Sequence, residues 1–134
     1  MIIIDSTLEA VKNLIIRNIS DSQTEVKLAY QKNVIPNPLR KNYVVFNMAD
    51  VVITPFRDET GRYHNLVRTK LSVNIHCAET ADPKKLLRIF SEIITIIDED
   101  PVRSFDEAGC GPVVSDPDSN SICLKGYITV STTT

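Results

Sequence analysis

The chain has 134 residues and a formal net charge of −2, with 43% hydrophobic and 24% charged residues. This length suits one globular domain with its own core, and the composition is that of an ordinary globular chain. Binding to nucleic acid through its phosphates needs a clustered basic surface, and the sequence has no block of Lys and Arg. We therefore expect one domain over residues 1–134 that makes no sequence-specific contact with nucleic acid.

The cysteines and the first residues of the sequence indicate in which cellular compartment the protein is expected to fold. Cys77, Cys110 and Cys123 are widely spaced and form no CxxC pair, as is typical of reduced thiols in an intracellular protein. The segment from Met1 to Asp5 has three isoleucines but no basic flank, so it does not resemble a signal peptide. No apolar run approaches the roughly 20 residues of a membrane span. We expect a soluble, non-secreted protein with no membrane partner.

The first predicted element is a helix from Ser6 to Ile19. Its apolar residues form one stripe at helical spacing: Leu8, Val11, Leu14, Ile15 and Ile19. After a polar turn, alternation of apolar and charged residues from Thr24 to Tyr30 predicts a strand. The next segment, Gln31 to Asn42, contains two prolines, which exclude a helix or a central strand. It is predicted to be an ordered loop of the kind that makes contacts.

The middle of the chain predicts a long β-hairpin. A strand is expected from Tyr43 to about Met48, with continuation from Val51 to Thr54 after a bulge or bend. Residues 55–65 then form a charged segment centred on a turn. Antiparallel pairing of the flanking strands would make this segment a hairpin arm. The return strand is clearest from Leu71 to Cys77, where apolar and polar residues alternate strictly.

A second helix is predicted from Lys84 to Ile97, with Asp82 as its cap and Pro83 at its first position. Its apolar face is too wide for a helix lying on water. The segment from Val102 to Ser121 has little periodicity and much turn chemistry, so no strand is predicted there. A last strand is expected from Ile122 to Val130, followed by a short threonine tail at residues 132–134.

Strands and two helices in this order predict an α+β fold. We expect a two-layer sandwich of a mainly antiparallel sheet, with two helices packed on one face and a projecting hairpin arm.

Possible metal sites have weak support in the sequence. His76 and Cys77 are adjacent on a strand, so they point to opposite faces and do not form a ligand pair with Cys110 or Cys123. The acidic residues at 98–100, 106–107 and 116–118 lack the spacing of a calcium loop, and solvated chain ends or turns explain them better. We expect no metal and no cofactor.

Catalytic motifs are also lacking. The run Gly109-Cys110-Gly111 could place a nucleophile on a tight turn, but it does not lie between a strand and a helix as a nucleophile elbow does. The two histidines, His64 and His76, belong to no Ser/His/Asp or Cys/His set. We therefore do not expect an enzyme.

The charged turn is the candidate functional surface. It combines both signs of charge with a tyrosine, and Arg and Tyr are enriched at binding hot spots. We predict that it is a subunit-interface arm, with six candidate contact residues: Arg57, Asp58, Glu59, Arg62, Tyr63 and His64. A merely solvated turn is the alternative.

In length and element order the chain resembles the tail terminator (tail completion) proteins of long-tailed bacteriophages and related phage-tail-like particles. The resemblance covers nearly the whole chain. It lies in the amphipathic first helix, the Val44-Val45-Phe46 strand, the strand at residues 71–76 that leads directly into the second helix, and the closing strand at residues 126–130. No short motif defines this family, so no catalytic or binding residue is carried over from it.

The resemblance implies a small α+β subunit that assembles with itself into a ring, expected to be a hexamer. Such a ring would sit on the last ring of tail tube protein, stop polymerisation and present a surface to the head–tail connector protein. The expected location is the neck end of the virion tail, after assembly in the cytoplasm of the bacterial host. Alternatives are another neck or minor tail component of head–tail joining, a small-molecule-binding domain or enzyme with a cleft between sheet and helices, and a nucleic-acid binder.

Overall fold

Two helices and a six-stranded sheet make up the fold in the computed structural model, which describes residues 6–29, 39, 41–118 and 120–134. The elements are α1 (Ser6–Asn18), β1 (Thr24–Leu28), β2 (Asn42–Arg57), β3 (Tyr63–Ala78), α2 (Pro83–Asp98), β4 (Ser104–Cys110), β5 (Val114–Asp116) and β6 (Ser121–Thr133). The strand order is β1-β2-β3-β6-β4, and β5 pairs with β6.

The sheet is mainly antiparallel, and among the strands of the described residues only β1 and β2 run parallel. Both helices pack on the same face: α1 lies against β1 and β2, and α2 lies against β3, β6 and β4. The predicted α+β sandwich is therefore confirmed. The opposite face of the sheet carries no helix among the described residues, and we call it the helix-free face.

The core lies between the helices and one face of the sheet. Alternate residues of β3 point into it, so Leu71, Val73 and Ile75 are fully buried. On α2, buried side chains recur at helical spacing along one face: Leu86, Ile89, Phe90, Ile93, Ile96 and Ile97. Burial of each such side chain contributes roughly 1.5–3 kcal/mol to the stability of the fold. The helix layer therefore holds the sheet in place.

The boundaries of α2 follow from local chemistry. The Asp82 carboxylate accepts a hydrogen bond from the Lys84 N–H, and Pro83 occupies the first turn, as predicted. At the other end the Glu99 N–H bonds to the Thr95 carbonyl. The short turn between β3 and the cap places the helix directly on the strand that precedes it.

The β2–β3 hairpin is the longest feature, with 16 residues in each strand. A bulge between Met48 and Asp50 shifts the register of β2, as the sequence predicts. The neighbour β6 accompanies β3 as far as Asn65, where Asn65 and Thr134 exchange backbone hydrogen bonds of 3.1 and 2.9 Å. Beyond that point residues 56–64 continue as a two-stranded ribbon, and we call this ribbon the arm tip.

Several expectations are corrected by the structure. The segment expected to be irregular holds β4 and β5, so Gly109 and Cys110 lie in a strand and not on a tight turn. The strand β3 begins at Tyr63, eight residues before Leu71, because the polar arm residues still pair across the hairpin. Two of the three threonines predicted to form a tail, Thr132 and Thr133, belong to β6.

The helix-free face also holds a buried group that the alternation did not predict. His76 lies on this face, opposite Cys77, but it is only 8% exposed. The end of the strand predicted at Tyr30, and most of the loop predicted for residues 31–42, lie outside the described residues.

Candidate functional site

Asp58 organises the turn at the arm tip. Its Oδ1 accepts hydrogen bonds from the Thr60 N–H at 2.8 Å, the Thr60 hydroxyl at 2.6 Å and the Arg62 N–H at 3.0 Å. Its Oδ2 lies 2.7 Å from Nε2 of His64. The Thr60 hydroxyl first, and then His64, hold the pKa of Asp58 below its usual range because they stabilise the carboxylate.

Gly61 completes this turn. Its φ of +84° lies in the left-handed region that glycine adopts freely. Its N–H donates to the Asp58 carbonyl at 3.0 Å, and the Asp58 N–H donates to the Arg62 carbonyl at 3.0 Å. The turn therefore has a defined conformation.

The arm tip has two different sides. On the side that continues the helix-bearing face, the Arg57 guanidinium lies 4.3 Å from the centroid of the Tyr63 ring and donates a hydrogen bond to the Tyr63 hydroxyl. Tyr63 is nevertheless 70% exposed. On the other side Phe56 stacks on His64, with ring centroids 5.5 Å apart. The tip thus presents an ordered Arg–Tyr pair to solvent.

The six predicted interface residues therefore fall into two groups. Arg57, Asp58, Tyr63 and His64 contact one another across the hairpin. Glu59 and Arg62 expose their side chains at the turn, and Arg62 supports the turn through its backbone. The sequence singled out these residues as a candidate surface but did not predict the contacts between them.

Exposed apolar side chains concentrate on the hairpin. Four of the eight large hydrophobic residues found exposed in the described chain lie there: Val52, Ile53, Phe56 and Tyr63. Within the described ranges, no strand pairs with the outer edge of β2 beyond Phe46. Such an edge invites pairing with another chain, and the bulge together with Pro55 limits it. This concentration is typical of a contact surface.

A second surface feature lies on the helix-free face, where β4 pairs with β6. It is a shallow open depression of about 590 Å³ that includes three glycines, Gly109, Gly111 and Gly126. Its other residues are Ser72, Asn74, Cys110, Lys125 and Tyr127. We call this depression the glycine trough, and its volume is within the range of ligand pockets, roughly 300–1,000 Å³.

Tyr127 forms one wall of the glycine trough. It pairs with Gly109 across the strands, and a Cβ on Gly109 would lie only 2.7 Å from Cε1 of the tyrosine ring. The ring therefore lies over the glycine, as aromatic residues do when they cover a glycine in an edge strand. Its hydroxyl donates to Glu107 at 3.0 Å, and this bond raises the pKa of Tyr127.

The charged side chains next to Tyr127 contact its ring or each other. The Lys70 ammonium lies 4.6 Å from the Tyr127 ring centroid, and Arg68 lies 3.4 Å from Asp106, which also accepts from the Ser131 hydroxyl at 3.0 Å. Arg68, Lys70 and Tyr127 line a smaller cleft of about 300 Å³, together with Asp50 and Glu107. The acidic pair at residues 106–107 thus belongs to a mixed-charge network.

The thiol and imidazole groups form one buried contact. Cys123 Sγ lies 3.8 Å from Nε2 of His76, and Nδ1 of His76 lies 3.4 Å from the Ser121 hydroxyl. Burial raises the pKa of Cys123 and lowers that of His76, which favours the neutral form of both groups. Cys77 is on the opposite face, where burial raises its pKa to about 11. In the described part of the chain, no group of three or more His, Cys, Asp or Glu is arranged to hold a metal ion.

Sequence reasoning missed the glycine trough because it depends on the register between β4 and β6. The run Gly109-Cys110-Gly111 drew attention only as a possible turn. Pairing with the distant Gly126 and Tyr127 is what converts it into part of a surface.

Neither helix in the described ranges is long and apolar enough to cross a membrane. No protein-family model matches the chain, and no curated protein matches it in sequence. The function is therefore inferred from the element order, the fold and the surface.

Proposed function

We propose that the protein is a structural subunit of a bacteriophage tail or a phage-tail-like particle. In this proposal copies of the chain form a ring at the neck end of the tail. The ring covers the last ring of tail tube protein, ends its polymerisation and provides the joint to the head–tail connector protein. The starting point is the similarity in element order to tail terminator proteins.

The arm is the observation that carries this proposal. It extends beyond β6 as a ribbon whose turn is held by Asp58 and whose surface carries the exposed Tyr63 beside Arg57. Ordering of side chains before contact reduces the entropy lost on binding, which favours association. A solvated loop would need neither the ordered turn nor the exposed aromatic residues.

A closed ring needs two different faces on each subunit, because its contacts are heterologous. The arm supplies one distinctive surface, and the helix-free face supplies another that no helix covers in the described structure. The two surfaces lie on different parts of the molecule. This arrangement suits ring closure better than a two-fold dimer.

The first test is the mass of the purified protein in solution, measured by light scattering on a sizing column across protein concentration and salt. We expect a species several times the 15.0 kDa subunit mass, either alone or after addition of the tail tube protein from the same particle. With tube protein, electron microscopy should show tubes that stop growing at the end that carries the ring.

The variant R57E/R62E tests the arm in the same assay. We expect it to stay folded by circular dichroism but to lose ring formation, because it reverses two exposed charges at the contact. The control is K84E/R88E, which makes the same change in charge on the exposed side of α2. A ring that forms equally well with R57E/R62E contradicts the role of the arm. A protein that neither assembles nor caps tubes contradicts the proposed function.

A further inference from the structure

We propose that the arm tip of one copy docks in the glycine trough of the next copy, with Tyr63 as the inserted side chain. This inference rests on the proposed ring, and it names the two surfaces that meet in it. The occupant of the glycine trough is thus a second copy of this chain.

The shapes of the two surfaces are complementary. The floor of the glycine trough is formed at the exposed Gly111 and the half-buried Gly109 and Gly126, and the Tyr127 ring, which lies over Gly109, forms an aromatic wall. The arm tip offers one highly exposed aromatic ring, Tyr63, held in place by Arg57. Aromatic rings pair favourably at offset or edge-to-face geometry, so a tyrosine entering beside Tyr127 gains contact with both wall and floor.

The charges are also complementary. Lys125 is exposed at the rim of the glycine trough, and the Lys70 ammonium lies above Tyr127. At the arm tip Glu59 is exposed on the turn, whereas the Asp58 carboxylate is engaged by Thr60 and His64. Docking brings Glu59 towards Lys125. It also brings Arg57, which accompanies Tyr63, towards the acidic side of the network at Glu107.

The chain cannot make this contact with itself. In the sheet register Cys110 pairs with Gly126, and Gly126 pairs with Val73 of β3. Tyr63 lies ten residues before Val73 on the same strand. At about 3.3 Å per residue, the arm tip is roughly 33 Å from its own trough. Contact between the two surfaces therefore requires two molecules.

Photochemical cross-linking tests the proposal directly. Tyr63 is replaced by p-benzoylphenylalanine, which keeps an aromatic ring at the inserted position. The assembled protein is irradiated, and the cross-linked peptides are identified by mass spectrometry. If the protein is monomeric alone, the assembly on tail tube protein is irradiated instead. We expect adducts between chains at residues 109–111 and 125–127.

The outcomes separate this proposal from the proposed function. Assemblies whose adducts fall on a helix, on the edge of another β2 or on a second arm tip overturn the docking site and leave the ring intact. Failure to assemble, both alone and with tube protein, overturns the proposed function and this inference with it. The mass of each irradiated sample decides between these cases.

A charge exchange gives an independent test in the same photoreactive background. E59K and K125E should each lower the yield of the trough adduct about tenfold, because each places like charges together. The double variant E59K/K125E should restore the yield. Matched controls are E79K and K84E, which reverse exposed charges elsewhere. A double variant that is no better than the single variants contradicts the proposed pairing.

Discussion

Gly126 determines how closely α2 approaches the sheet. It faces the helix layer, and a Cβ at this position would lie 3.1 Å from Cζ of Phe90 and 2.8 Å from the Gly109 carbonyl oxygen. Neither neighbour is free to move, since Phe90 is in the core and the carbonyl belongs to β4. The absence of a side chain here lets the core close.

We predict that G126A destabilises the protein by about 1–3 kcal/mol, the usual cost of overpacking a core. Chemical denaturation monitored by circular dichroism measures this loss. The control is G111A, because its Cβ would meet only the Lys125 carbonyl oxygen at 3.8 Å, an ordinary contact. G111A should change the free energy of unfolding by less than about 1 kcal/mol. Equal effects of the two substitutions would contradict this account.

His76 predicts a dependence of stability on pH. Burial lowers its pKa from 6.5, so the folded protein holds the ring neutral while the unfolded chain takes up a proton below pH 6.5. The unfolded state then binds more protons, so the free energy of unfolding is highest above pH 6.5 and falls as the pH drops. The slope from this one group is at most about 1.4 kcal/mol per pH unit.

Denaturation curves of the native protein and H76Q between pH 5 and 8 measure this contribution. We expect the variant to lose less stability than the native protein as the pH falls from 6.5 to 5. His64 is unchanged in both proteins and cancels in the comparison. Identical slopes would show that His76 accepts a proton in the folded state as easily as in the unfolded chain.

At the scale of elements, a substitution in the turn of the arm should destabilise the turn without destabilising the rest of the fold. A Cβ on Gly61 would meet no atom within 4 Å, so the effect of G61A is confined to its φ of +84°. A left-handed conformation costs a residue with a side chain roughly 1–2 kcal/mol. We predict faster hydrogen exchange of the amides of Asp58 and residue 61 in G61A, with unchanged exchange in α2. Unchanged exchange at the turn would contradict this role of Gly61.

The β2–β3 hairpin and the edge strand β4 differ in how well the sequence predicts them. The β2–β3 hairpin was predicted, including its bulge, because β-branched and aromatic residues flank a turn with Gly61. The strand β4 was missed because Asp106, Glu107 and Gly109 are poor strand formers and a bulge after Phe105 breaks its alternation. It forms because its backbone pairs with the side of β6 away from β3, and because Tyr127 covers Gly109.

At the scale of the whole molecule, the sequence predicts the layers but not their connections. Helical stripes and strand alternation identify α1, α2 and the strands of the core. The parallel pairing of β1 with β2, and the place of β4 beside β6, depend on contacts between distant parts of the chain. For the same reason the candidate arm was found from its own residues. The glycine trough was not, because it joins residues 72 and 74 with residues 109–111 and 125–127.

The register of the hairpin restricts how its length can vary. Side chains alternate between the two faces of a strand. Removal of one residue from each strand of the hairpin would therefore move the side chains of the arm tip to the opposite face of the sheet. Tyr63 and Arg57 would then point to the side that Phe56 and His64 now occupy. Removal or addition of two residues per strand keeps the orientation. The reach of the hairpin can therefore change only in increments of about 7 Å if the tip is to keep its orientation, so chains of this fold with hairpins of different length would differ by even numbers of residues on each strand.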